Sequence, residues 1–116
     1  MILGGRYQGK HAYAEGLYGE FSAVSNLEHN DAIVPGLVMN VHLGVKRGLR
    51  CEFFEERLEV LRECVILCTE VGSGIIPADP FERTWRDETG RVYQLLAHEA
   101  DIVDRIFAGL ALRLKG

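Results

Sequence analysis

Apolar positions change their spacing several times along this chain, and each change predicts an element. Met1–Leu3 is a short apolar run closed by Gly4 and predicts a strand. From Lys10, "KHAYAEGLYG" carries alanines and aromatics at helical spacing and stops at Gly19, which predicts a helix. "EFSAVSNL" predicts a second strand over 20–27, and the turn-rich "EHNDAIVPG" is punctuated by Pro35 and Gly36. "LVMNVHLGVKRGL" puts Val38, Val41, Val45 and Leu49 on one stripe and predicts a helix over 37–49. Gly44 and Gly48 weaken that helix by about 1 kcal/mol each relative to Ala. "EFFEERLEVLRE" repeats the spacing with Phe54, Leu58 and Leu61, predicting a helix over 52–63.

"CVILCTE" is apolar throughout and partly β-branched, as suits a strand covered on both faces of a parallel sheet. After the glycine and proline loop "VGSGIIPADP", a long helix runs from about Asp79 to Ala100, with Asp79 as cap and Pro80 first inside. Its apolar face carries Phe81, Trp85, Val92, Leu95 and Leu96. Arg83, Asp87, Arg91, Gln94 and His98 form the polar stripe opposite, where Arg83 and Asp87 are spaced for an ion pair. "DIVDRIFAG" and "LALRLK" close the chain as two strands. The order indicates an α/β layered domain without internal repeats.

With 116 residues, 47% of them apolar, the chain suits one domain over 1–116 that buries a real core. A net charge of -4 argues against a general nucleic-acid binder. No apolar run approaches the roughly 20 residues of a membrane span, and no signal peptide is evident. Cys51, Cys64 and Cys68 are odd in number and form no CxxC pair, so free thiols in a reducing, cytoplasmic compartment are expected. Cys64 and Cys68 share one strand face and read as core; metal ligation would need partners at usable spacing, and none stands nearby.

Gly4, Gly9 and Lys10 satisfy GxxxxGK between an apolar strand and a helix. Glycines let the backbone curl so that N–H groups converge on phosphate oxygens, lysine adds a point charge, and the helix start adds its dipole. The plainer alternative is a glycine turn with Lys10 in solvent. His11 stands where such loops carry a hydroxyl for Mg²⁺, and an imidazole is a poor ligand for that ion. Glu70, ending "VILCTE", occupies the place of the acidic residue that orders a metal's water shell. His42, Lys46 and Arg50 share a helix face that could touch an anion but reads as a solvated basic stripe.

"ILGGRYQGKHAYAE", "TEVGSGIIPADPFERTWRDETGRVYQLLAHEAD" and "FAGLALRLK" together resemble the adenosylcobinamide kinase/adenosylcobinamide-phosphate guanylyltransferase family of cobalamin biosynthesis. Glu70-Val71-Gly72, Gly74, Pro77, Arg86-Asp87, Gly90-Arg91 and Gln94 follow that family's order. The resemblance implies a P-loop NTPase-like three-layer α/β domain with a mostly parallel sheet. Gly4, Gly5, Arg6, Tyr7, Gln8, Gly9, Lys10 and His11 would hold the phosphates of ATP or GTP. Lys10 and Glu70 would act in catalysis, and Arg86 and Arg91, oriented by Asp87, would face a nucleotide or corrinoid phosphate. The partners implied are nucleotide, a corrinoid substrate and further copies of the chain in a homo-oligomer. The family's nucleotide-accepting histidine sits in a motif absent here; His29 is present in "NLEHNDAIVPG", but its surroundings differ and it reads as a loop histidine. The family's separate strand ending in aspartate also finds no counterpart. The expected function is therefore a shortened, kinase-like protein that phosphorylates adenosylcobinamide, with Mg²⁺ use weakened by His11 and guanylyl transfer unsupported. The alternative is a catalytically degenerate nucleotide-binding or regulatory subunit.

Overall fold

The computed structural model describes residues 1–6, 9–71 and 79–116. Gly4 ends the first strand, β1 (Ile2–Gly4), and Gly9 turns the chain into α1 (Lys10–Tyr18). Two short strands follow, β2 (Val24–Asn26) and β3 (Gly36–Met39), then three short helices, α2 (Val41–Arg47), α3 (Cys51–Glu55) and α4 (Leu58–Leu61). β4 (Cys64–Thr69), α5 (Pro80–Glu99), β5 (Val103–Phe107) and β6 (Leu110–Lys115) complete the chain. The sheet order is β2-β3-β4-β1-β5-β6. Every neighbouring pair is parallel except the β5–β6 hairpin.

Alternation along the central strands supplies both faces of the sheet. Ile2, Leu37, Leu67 and Ile106 point to one face and pack with Ala14 of α1. Val38, Ile66 and Cys68 point to the other and meet Val41, Val45, Phe54, Leu61, Val92 and Leu96 of the remaining helices. The result is the three-layer, mostly parallel arrangement of the P-loop NTPase kind that the sequence leads one to expect.

Several expectations are corrected. The predicted helix over 37–49 starts as β3, and Asn40, at φ 60°, turns the chain before α2 begins at Val41. Val38 mimicked a helical stripe because it faces the same core as Val41 and Val45, from a strand rather than a helix. The chain thus has a strand, β3, where a helix was predicted, and it ends at Met39. The predicted helix over 52–63 breaks at Arg57 (φ -119°), whose guanidinium donates to the Phe53 carbonyl at 2.9 Å and stacks 3.8 Å from its ring. On α5, Asp79 caps as expected, accepting from the Phe81 amide at 2.9 Å, but Phe81 is 57% exposed, and the core residues are Thr89, Val92 and Leu96.

Two glycines give opposite expectations. Gly36 sits at φ 144°, and a Cβ there would stand 2.4 Å from the Ala23 carbonyl oxygen, which accepts from the Leu37 amide. Gly36→Ala should cost roughly 3 kcal/mol and lower the melting temperature by about 10 °C. Gly16 has open space around its missing Cβ in mid-helix. Gly16→Ala should raise stability by about 0.5–1 kcal/mol, and urea denaturation of both variants checks the pair.

Candidate functional site

The parallel strands lead their carboxyl ends to a cleft of ≈ 370 Å³ bounded by Arg6, Lys10, His11, Met39, Asn40, His42 and Thr69, among others. Clefts at this edge are where open α/β sheets place ligands. Gly4 closes β1 tightly: a Cβ there would approach the Ile106 carbonyl oxygen and Lys10 Cγ, each at 3.2 Å. Gly9, at φ 81°, is the N-cap of α1 and has no side chain with which to cap it, so the first-turn N–H groups suit an outside acceptor.

Lys10 folds back over this turn. Its Nζ donates to the Gly5 carbonyl at 2.8 Å and to that of Gly4 at 3.3 Å. Burial lowers its pKa, partly offset by the nearby Cys68 and Glu70. The lysine is thus held beside the loop by weak neutral acceptors that an anion can replace. His11 turns away along its own helix, with Nε2 3.1 Å from Glu15 Oε1. Tyr7 and Gln8 lie outside the described residues, as do Gly72, Gly74 and Pro77.

The other expected residues are more scattered. Glu70 is tied into the loop through its backbone, donating from its amide to the Gly4 carbonyl at 2.9 Å. Its carboxylate is gripped in a fork by Arg105, with Nε at 2.6 Å and Nη2 at 3.2 Å, and it does not line the cleft. Arg86 is half-buried on α5, whereas Arg91 is exposed and paired with Glu88 at 2.5 Å. Neither lines the cleft. His29 is exposed, 3.1 Å from Glu28.

Of the predicted basic stripe, Lys46 is exposed and Arg50 partly so, but His42 is not solvated. His42 is only 6% exposed and its Nδ1 has no partner among the described residues. Its carbonyl accepts from Trp85 Nε1 at 2.7 Å, and Lys46 Nζ stands 5.0 Å from the same indole. Arg50 donates to the Val45 and Leu49 carbonyls, both at 2.9 Å. Packing of α2 against α5 turns His42 inward, whereas Lys46 stays exposed and Arg50 lies past the end of α2, before α3. Burial, then the charges of Arg6 and Lys10, push the His42 imidazole down to about 4, so it is neutral at pH 7. Asn40 and Thr69 are cleft residues that sequence reasoning missed, and His42 is one that it read as solvated. Asn40 is fixed by its amide, which donates to Asn26 Oδ1 at 2.9 Å.

Magnesium fits this wall poorly. Among the described residues no carboxylate lines the cleft, and no cluster of three metal-binding side chains forms anywhere. Asn40 and Thr69 supply the hard side-chain oxygens, and no carboxylate accompanies them there.

A model of the family described as cobinamide kinase / cobinamide phosphate guanyltransferase matches residues 46–114. The match runs from α2 to β6 and leaves the loop at Gly4–Lys10 outside it. The bifunctional adenosylcobalamin biosynthesis protein CobU of Salmonella typhimurium is 41% identical over 51 residues, which cover 44% of this chain and 28% of that relative.

His42 makes stability depend on pH with a definite sign. Its native pKa of about 4 lies below the ordinary 6.5, so between those values the unfolded chain binds more protons. Its contribution is complete above pH 6.5 and is lost as the pH falls toward 4. His42→Gln should flatten the pH dependence over that window by roughly 2 kcal/mol, measured by urea denaturation at the two ends.

Proposed function

The chain belongs to the cobinamide kinase / cobinamide phosphate guanyltransferase family, and from that premise we propose that it binds a nucleoside triphosphate at the Gly4–Lys10 turn and phosphorylates a cobinamide-type alcohol. One observation carries the reading. Lys10 is parked on the carbonyls of its own loop, at the mouth of a cleft on the sheet's carboxyl edge. Phosphate oxygens would displace those carbonyls, gain the α1 N-terminus, and place the transferred charge against the ammonium. ATP or GTP would serve equally by this argument, because the loop meets phosphate and not base.

Three groups on the wall have work in this reading. Lys10 holds the γ-phosphoryl oxygens. Arg6 adds a second cation on the same side. His42, neutral and fixed by α5, keeps a third positive charge out of the cleft and leaves room for an uncharged hydroxyl. Glu70 would orient the acceptor hydroxyl only if its fork with Arg105 opened. No step is assigned to Mg²⁺.

A second reading has its own support. A cleft wall with no carboxylate among the described residues, together with His11 turned onto Glu15, favours a nucleotide-binding subunit that does not turn over. Guanylyl transfer has no support from His29, which lies off the cleft.

The first expectation concerns binding. A nucleotide at about tenfold above its Kd should stabilise the protein by about 1.4 kcal/mol, some 5 °C in melting temperature. Lys10→Ala should remove that shift, and no shift with either ATP or GTP would remove the basis of both readings. The second concerns turnover. Phosphate transfer to cobinamide, followed with labelled nucleotide, should occur in the wild type and fall at least tenfold in Glu70→Gln. Binding without transfer would select the second reading.

A further inference from the structure

The cleft changes character from one end to the other. Arg6 and Lys10 stand where β1 gives way to α1, whereas Asn40 and Thr69 stand where β3 and β4 finish. Met39 lies two residues beyond Leu37, and Thr69 two beyond Leu67, so both turn to the α1 face of the sheet. Asn40 presents to this end an oxygen whose identity and direction are fixed. Asn26 Oδ1 accepts from the Glu28 amide at 3.0 Å, so it can only be an oxygen. Asn40 Nδ2 donates to the same atom at 2.9 Å, which leaves the Asn40 amide one way round, with Oδ1 turned from Asn26. Among the described residues none donates to that Oδ1, and Asn40 is partly exposed. The main chain holds the side chain in place. Asn40 sits at φ 60° and ψ 38°, a conformation that Asn tolerates, and its carbonyl accepts from the Leu43 and Gly44 amides at 3.1 and 3.0 Å.

Resting on the phosphoryl-transfer reading above, we propose that Asn40 Oδ1 accepts the hydroxyl of the alcohol to be phosphorylated and so selects a neutral alcohol as acceptor. Spacing allows it. The strand order places β3 two strands from β1, about 10 Å away. A hydroxyl about 2.8 Å from Oδ1 and about 3.3 Å from the phosphorus it attacks spans at most roughly 6 Å. The remaining distance accommodates a phosphoryl group against Lys10. Thr69, level with Gly4 on the intervening strand, lies between the two ends. Asn40 is in place without any rearrangement, whereas Glu70 reaches a hydroxyl only after leaving Arg105.

Charge narrows the class of acceptor. A carboxylate or phosphate has no proton to share with Oδ1 and is drawn to Lys10 and Arg6 instead. An ammonium is repelled by those same two cations. A hydroxyl gives its one proton to the bond with Asn40 and keeps lone pairs for phosphorus. In the transfer, the hydroxyl oxygen bonds to the γ-phosphorus as the bond from that phosphorus to the bridging oxygen breaks, releasing the nucleoside diphosphate. The hydroxyl proton passes to an oxygen of the transferred phosphoryl group, since a neutral amide takes none. Asn40 thus holds and aims the acceptor, and Lys10 meets the charge that moves. Met39 and Leu43 beside Asn40 leave an apolar margin for the body that carries the hydroxyl.

Glycine keeps the left-handed backbone at position 40, so Asn40→Gly is the variant to test, its fold checked by far-ultraviolet circular dichroism. Equilibrium dialysis of cobinamide against protein saturated with the β,γ-imido analogue of ATP or GTP should give a Kd about fivefold weaker in Asn40→Gly, with the nucleotide Kd within about twofold of wild type. A cobinamide analogue with hydrogen in place of the acceptor hydroxyl identifies the group that is held. Wild type should favour the alcohol over this analogue about fivefold, and Asn40→Gly should bind the two within about twofold of each other. Asn26→Ala, which releases the Asn40 amide without altering position 40, should reduce the same preference and serves if the glycine variant does not fold. A preference for the alcohol that survives both substitutions overturns the role of Asn40 and leaves the kinase reading standing. Wild type that binds nucleotide but not cobinamide overturns both, and selects the nucleotide-binding subunit.

Discussion

Three residues, Ile2 to Gly4, hold this architecture together. β1 pairs in parallel with β4 on one side and β5 on the other, at the middle of the sheet. A strand so short has little cohesion of its own, so its place depends on being flanked and buried on both faces. Ile2 meets the α1 layer, and Leu3 packs against the core beneath α2–α5. Whatever leaves the carboxyl end of β1 is then fixed relative to β4 and β5. The glycine turn, the start of α1 and the amide of Glu70 are all anchored to this strand, the last through the Gly4 carbonyl.

The electrostatics of the cleft follow from that anchoring. Lys10 and Arg6 both stand on the wall, and the neighbouring carboxylate, Glu70, is occupied by Arg105. Among the described residues, positive charge is therefore uncompensated by any carboxylate on the wall itself. A third cation at His42 would add repulsion to the cost of burying charge, and the imidazole stays neutral instead. The cleft suits an anionic ligand and the pairing of acids and bases is pushed to its margins, with Glu70–Arg105 on one side and His11–Glu15 on the other.

What could be read from the sequence was local. Gly4, Gly9 and Lys10 announce a curled backbone because the requirement for glycine and for a cation is set within a few residues. β4 and α5 were legible for the same reason: an unbroken apolar run and a capped, strongly periodic helix. β3 was not, because a four-residue strand buried on both faces has no period, and Val38 lies at helical distance from Val41 and Val45 by coincidence. His42 looked solvated because nothing near it in sequence tells that α5, 43 residues on, brings Trp85 against its carbonyl. Likewise the partner of Glu70 is 35 residues away and meets it only through the strand order β4-β1-β5.

Trp85 is the chain's one tryptophan. Its indole sits between Lys46 and the helical turn of His42, one step behind the cleft wall. Indole emission is sensitive to a nearby imidazolium, to cation distance and to the strength of the N–H bond. The protein thereby contains a built-in fluorescent gauge, needing no label, that reports the protonation of the imidazole beside it and any shift of α2 against α5.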